Sequence, residues 1–173
     1  NPIPKLVRIL SRIDSLLLDE GTDWFQPSNV EVTDIEVGNP ATNVIPAMAR
    51  ARLSIRFNSL HTGQELVERI SGIVRSESPD GEVIARISGE AFLTPPGELS
   101  TLVSNAVVGV TGIRPELSTT GGTSDARFLS QICPVVEFGL CNATMHKLDE
   151  AVALPDILDL TRIYAAIIAH ASE

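Results

Sequence analysis

The sequence contains no apolar run near the roughly 18 residues that a membrane-crossing helix requires, and no basic segment followed by a short apolar one near its start. Neither insertion nor targeting is expected. Positive charge is scarce as well: 13 Lys+Arg stand against 22 Asp+Glu, a net charge of −9. A chain so acidic has no basic stripe with which to neutralise a phosphate backbone or an anionic bilayer, so nucleic acid and membrane are excluded as expected partners. Cysteine is limited to Cys133 and Cys141. Two thiols do not make a disulfide framework, and free thiols in a cytoplasmic protein are expected. Repeats and low-complexity segments are absent too. The first residues, "NPIP", include no initiator methionine, which leads to the expectation of a fragment or a processed product.

What the 173 residues do have is 43% hydrophobic content, ample for a packed core, in patterns of definite period. Ile3, Leu6, Val7, Leu10, Ile13 and Leu17 recur at helical spacing behind Pro2 and Pro4, and "DEGT" with Gly21 closes that helix. From Asn29 to Gly38 apolar residues alternate, with a phase shift at Thr33-Asp34 that predicts a bulged strand. In "AMARARLSIRFN" Ala47, Ala49, Ala51, Leu53, Ile55 and Phe57 share one face of a strand, and Arg50, Arg52, Ser54, Arg56 and Asn58 share the other. Thr62 with Glu65 forms a capping-box signature for a helix over 63–77. Val83, Ala85 and Ile87 then predict a third strand. The first 90 residues thus read as a helix-covered antiparallel sheet.

"TPPG" at 94–97 is incompatible with helix and marks the expected domain boundary, dividing 1–93 from 94–173. Beyond it, Leu99 to Val110 predict a helix ended by Thr111-Gly112. "STTGGTSDARF" interrupts before a short helix. "ICPVVEFGL" has the continuous apolar character of a strand buried on both faces, and Pro155 opens a last helix with Ile157, Leu160, Ile163, Ile167 and Ile168 on its inner side.

Two segments can carry chemistry. In "TTGGTSDARF" glycine N–H groups and hydroxyls can cradle a carboxylate or phosphate, or simply form a turn; without a following Lys it is not a nucleotide P-loop. In "GLCNATMHKLDE" His146 can bind a metal or sit in a solvated turn. One imidazole is no zinc site, and His61 and His170 lack ligand spacing to it. Glu137 and the Asp125/Arg127 pair are as compatible with structural ion pairs as with function. The strand arginines, Arg56 included, read equally as a solvated face.

Taken together, "NVIPAMARARLSIRFNSLHTG", "SGEAFLTPPG", "STTGGTSDARF" and "CPVVEFGLCNATMHKLDE" resemble the dinuclear zinc exopeptidase and deacylase family, and their combination favours its desuccinylase branch over its acetylornithine deacetylase branch. The resemblance covers essentially the whole chain. It implies an α/β protein in two parts: residues 1–93 an α+β lid, a two-layer domain with an antiparallel sheet and two helices; residues 94–173 the C-terminal part of an α/β catalytic domain. It implies His146 as one metal ligand, with the other ligands, the general base and a lid histidine contributed from outside this sequence. No catalytic residue is then expected within it. Asn43, Arg56, Ser88, Gly122, Thr123 and Asn142 are implied as substrate contacts. The cofactor implied is zinc, two per complete site with cobalt as a substitute, and the chain alone is expected to be metal-free and inactive. The substrate implied is a small dicarboxylate amide of the lysine and cell-wall precursor pathway, and the oligomer a homodimer through the lid. The competing expectation is a non-catalytic dimerisation or ligand-binding module.

Overall fold

The computed structural model describes residues 1–120, 124–141 and 143–171, in two compact units, Asn1–Phe92 and Leu93–Glu173. In the first, the Asn1 side-chain oxygen accepts the Ile3 N–H at 3.1 Å and Pro2 supplies a preset φ, which together start α1 (Pro2–Asp14). The helix stops well before the expected Gly21. Ser15 turns its hydroxyl back to the Arg12 carbonyl (2.9 Å), and Leu17, placed on the helix by its spacing, is 69% exposed. The chain beyond belongs instead to a loop gathered around Asp19, where Gly21 takes φ +85° and a Cβ would lie 2.7 Å from the Phe25 carbonyl oxygen.

β1 (Asn29–Glu36) and β2 (Arg50–Arg56) form an antiparallel pair. The register shifts between Val32 and Asp34, the bulge foreseen from the apolar phase. Thr33, the extra residue, donates its hydroxyl to the Arg52 carbonyl at 3.3 Å. Ala51, Leu53 and Ile55 are half-buried while Arg50, Arg52, Ser54 and Arg56 are exposed, so the period-two reading of this strand holds over a shorter span. α2 (Gly63–Glu77) begins with the full reciprocal capping box: the Glu65 N–H donates to Thr62 Oγ1 and the Thr62 N–H to Glu65 Oε2.

One face of the β1–β2 hairpin meets both helices. Ile9, Ile13, Ile70 and Ile73 form the buried centre, with Leu16, Val30, Leu53, Ile55 and Val74 packed against them. Glu77 accepts from both Arg8 (3.0 Å) and Arg12 (3.1 Å), fastening α1 to α2 at the surface. The third strand expected at Val83–Ile87 does not form. Those residues make no ladder; Ile84 is 95% exposed, and Ile87 leans on Gly63 at the start of α2. Alternation by itself does not make a strand when no neighbour exchanges backbone bonds with it.

In the second unit α3 (Glu98–Thr111) runs from Gly97 to Gly112, whose φ of +71° provides the left-handed stop that the sequence signalled. α4 (Ala126–Leu129) is a single turn, and α5 (Leu154–Ala171) packs on α3 through Val103, Val107 and Ile163. "ICPVVEFGL" is not the doubly buried strand expected: among the described residues the second unit has no strand with which it can pair. Val136 and Phe138 alone turn toward the helices, Glu137 is exposed between them, and Ile132 is 80% exposed. Tyr164 secures the segment, its hydroxyl donating to the Phe138 carbonyl at 2.6 Å and its ring meeting Phe138 edge-on. The inner face of α5 is narrower than its periodicity implies, since Ile157 and Ile168 are 40% and 65% exposed. Both cysteines are free and exposed, not buried in a strand. No helix among the described residues is long and apolar enough to cross a membrane.

Candidate functional site

His146 sits in a turn closed by its neighbours' side chains. Thr144 Oγ1 donates to the Ala151 carbonyl at 2.7 Å and accepts the Ala151 N–H at 3.1 Å, while Lys147 Nζ reaches the Ala143 carbonyl at 2.6 Å. Inside that bracket His146 and Asp149 both adopt left-handed backbone, φ +60° and +58°. A β-carbon makes this region unfavourable, so a non-glycine residue stays there only where its surroundings hold it, and such residues cluster at functional sites. Glu150 accepts the His146 backbone N–H at 3.4 Å, and the side chain of His146 is exposed.

A metal needs more donors than this turn supplies. Among the described residues no three His, Cys, Asp or Glu side chains converge. His61 and His170 are engaged elsewhere: His61 Nε2 lies 3.0 Å from Asp19 Oδ2, and His170 Nδ1 lies 2.8 Å from the Ala166 carbonyl of its own helix. The described donor set therefore does not fit a metal centre without ligands from outside it.

The anticipated anion cradle falls largely on Gly122 and Thr123, which, like Asn142, lie outside the described residues. Its far flank is ordered by Ser124, whose hydroxyl accepts the Ala126 N–H at 3.0 Å. The local ion pair between Asp125 and Arg127 is not formed. Arg127 instead stacks its guanidinium 4.8 Å from the Phe128 ring centroid, and its buried Nε has no hydrogen-bond partner among the described residues.

In the first unit the implied substrate contacts are all exposed and lie at different places. Arg56 ends β2. Across the ladder Arg50 faces Glu36 and Arg52 faces Asp34, but Arg56 faces the neutral Asn29. Of the three strand arginines it alone has no carboxylate opposite it in register, and among the described residues none of the three closes an ion pair. Asn43 lies in the loop between the strands, at the other end of the hairpin. A six-residue length of strand separates Arg50, beside that loop, from Arg56, a span of about 20 Å. Asn39 shapes the loop: its Nδ2 donates to the Val44 carbonyl at 2.7 Å and its Oδ1 accepts the Ala41 N–H at 3.3 Å. Ser88 follows Ile87 on the segment beside α2.

The residue that sequence reasoning missed is Asp19, read there only as part of a helix-ending "DEGT". Its carboxylate is nearly buried, 6% exposed, and collects Gly21 N–H (2.7 Å), Ser28 N–H (3.2 Å), Asn58 Nδ2 (2.7 Å) and His61 Nε2. Burial pushes its pKa up, but the bonds from Ser28, Gly21 and Asn58 together outweigh burial and hold the carboxyl far below the ordinary 3.8. Only the short Asp-x-Gly spacing was visible in the sequence. The partners at 58 and 61 arrive through the fold.

Compared with known proteins, residues 1–82 match the peptidase dimerisation domain family. Nearly the whole chain is similar to three proteins named succinyl-diaminopimelate desuccinylase. The one from Sphingopyxis alaskensis is 68% identical over 168 residues, 97% of this chain and 45% of that protein. Those from Novosphingobium aromaticivorans and Rhizorhabdus wittichii are 65% identical over 167 residues (96% and 44%) and 63% over 168 residues (97% and 45%). The chain thus spans less than half the length of these relatives.

Proposed function

We propose, from the match of residues 1–82 to the peptidase dimerisation domain family and the likeness of nearly the whole chain to desuccinylases, that this chain is part of a succinyl-diaminopimelate desuccinylase. The complete enzyme hydrolyses N-succinyl-LL-2,6-diaminopimelate to succinate and LL-2,6-diaminopimelate, in the cytoplasm, on the route to lysine and diaminopimelate. Residues 1–93 are its lid and dimerisation domain, and residues 94–173 contribute the end of its catalytic domain. The observation that carries this reading is the 68% identity to a desuccinylase along 97% of the chain.

In this reading the chain's own residues bind and orient. Arg56, opposite the neutral Asn29 and exposed, pairs with a substrate carboxylate, and a planar guanidinium can do so through two parallel bonds. Asn43, in the loop that leaves the Arg50 end of the hairpin, is a second substrate contact, and the match to a dimerisation domain supports a homodimer through the lid. Ser88 adds a hydroxyl contact, and Gly122, Thr123 and Asn142 are further substrate contacts in this reading. His146, held in left-handed backbone and exposed, is one metal ligand. The metal is zinc, two ions per complete site, with cobalt able to replace it. Its chemistry when bound is polarisation of the scissile amide; the remaining ligands and the general base lie outside this chain, which is metal-free and inactive alone.

The test is succinate release from N-succinyl-LL-2,6-diaminopimelate by the full-length enzyme that carries this chain. We expect kcat/KM at least about a hundredfold above that for N-acetylornithine, because groups that pair with a second carboxylate go unpaired with the smaller acyl chain. The reverse preference would move the chain to the acetylornithine deacetylase branch. Turnover by the 173 residues alone would contradict the assignment of the missing ligands.

A further inference from the structure

The backbone N–H groups of the first turn of a helix have no partner within it. In α2 the capping box satisfies Glu65 N–H through Thr62. Gly63 N–H is served from 27 residues away: it donates to both carboxylate oxygens of Glu90, at 3.0 Å and 3.2 Å. Gripping both oxygens fixes the plane of the carboxylate as well as its position, and the negative charge lies at the positive end of the helix.

A second contact meets the same glycine. Ile87 lies so close to Gly63 that an added Cβ would stand 2.8 Å from its Cγ2 and 3.0 Å from its Cδ1. Only a residue without a side chain allows that approach. Among the described residues no ladder holds residues 82–92, and the forked bond from Gly63 N–H to Glu90 is the one hydrogen-bonded contact that ties this stretch to α2. Ser88, exposed, stands between Ile87 and Glu90.

We infer that Glu90 is a positioning residue: with Ile87 against Gly63 it pins the segment on both sides of Ser88 and so sets the location of that hydroxyl. The inference rests on the reading of Ser88 as a substrate contact. Without the pin, the hydroxyl samples many positions of an exposed, unpaired stretch, and the substrate loses a preorganised contact.

The experiment uses the full-length enzyme and two readouts. Amide hydrogen exchange of residues 84–92 tests the pin without reference to function: Glu90→Ala speeds exchange about tenfold, and Glu90→Gln, whose amide oxygen still accepts the Gly63 N–H, does not. Gly63→Ala, which displaces Ile87, has the same effect as Glu90→Ala. Kinetics test what the pin does: Glu90→Ala raises KM for N-succinyl-LL-2,6-diaminopimelate about tenfold with kcat within about twofold, Glu90→Gln restores KM, and Glu90→Ala adds nothing in a Ser88→Ala background. Unchanged exchange overturns the pin. Faster exchange with unchanged KM, in an enzyme whose KM does respond to Ser88→Ala, overturns the positioning role. An enzyme indifferent to Ser88→Ala overturns the substrate reading of Ser88, and this inference with it.

Discussion

His61 Nε2 and Asp19 Oδ2 lie 3.0 Å apart, with side chains 17% and 6% exposed, and this contact joins the loop after α1 to the residue preceding the N-cap of α2. Asn58 binds the same carboxylate from the end of β2, and its backbone N–H donates to Ser28 Oγ at 3.0 Å. Four parts of the first unit thus converge on one acid.

Replacing Asp19 strands several buried donors at once. Asp19→Ala is expected to destabilise the first unit by about 2–4 kcal/mol, since each unsatisfied buried group costs about 1–3 kcal/mol. Because the folded pKa lies below the unfolded one, the stabilisation is complete above the ordinary 3.8 and fades as pH falls below it. Urea midpoints at about pH 7 and about pH 3 should separate for the native chain more than for Asp19→Asn. Parallel losses in both would refute a depressed Asp19.

Much of the first unit was legible because its signals are local. The capping box, the bulge and the in–out alternation of Ala51, Leu53 and Ile55 each involve residues within a few positions of one another. The strand expected at Val83–Ile87 failed because strand formation depends on a partner, which periodicity does not report. "ICPVVEFGL" failed similarly: apolar content marks a segment that wants burial but not what will cover it. The turn of His146 was visible as a polar stretch, whereas its left-handed backbone was not, being imposed by bonds such as Thr144 to Ala151. Asp19 was opaque because its partners lie up to 42 positions away.

The core permits a sharper contrast between two apolar residues of one sequence pattern. Ile13 is 1% exposed and central to the isoleucine cluster, so Ile13→Ala should cost about 3–4 kcal/mol in chemical denaturation. Leu17, 69% exposed beyond the end of α1, should give within about 0.5 kcal/mol on the same change. Equal costs would mean that α1 continues to Leu17.

The strand arginines should separate kinetically. In the full-length enzyme Arg56→Ala is expected to raise KM for the succinylated substrate by about tenfold or more, and Arg56→Lys should recover little of it because an ammonium lacks the planar fork. Arg52→Ala, opposite Asp34, should leave KM within about twofold. Equal effects would show that register partners do not decide which arginine meets the substrate.

The account turns on whether His146 is one ligand of a metal centre completed from outside this chain. The most direct measurement is metal content by mass spectrometry of the full-length enzyme, with and without His146→Ala, after exhaustive dialysis. It should fall from about two ions per protomer to about one, with the fold intact by circular dichroism, because removing one ligand opens one site and leaves the other. Two ions retained by both proteins would contradict it and return His146 to a solvated turn.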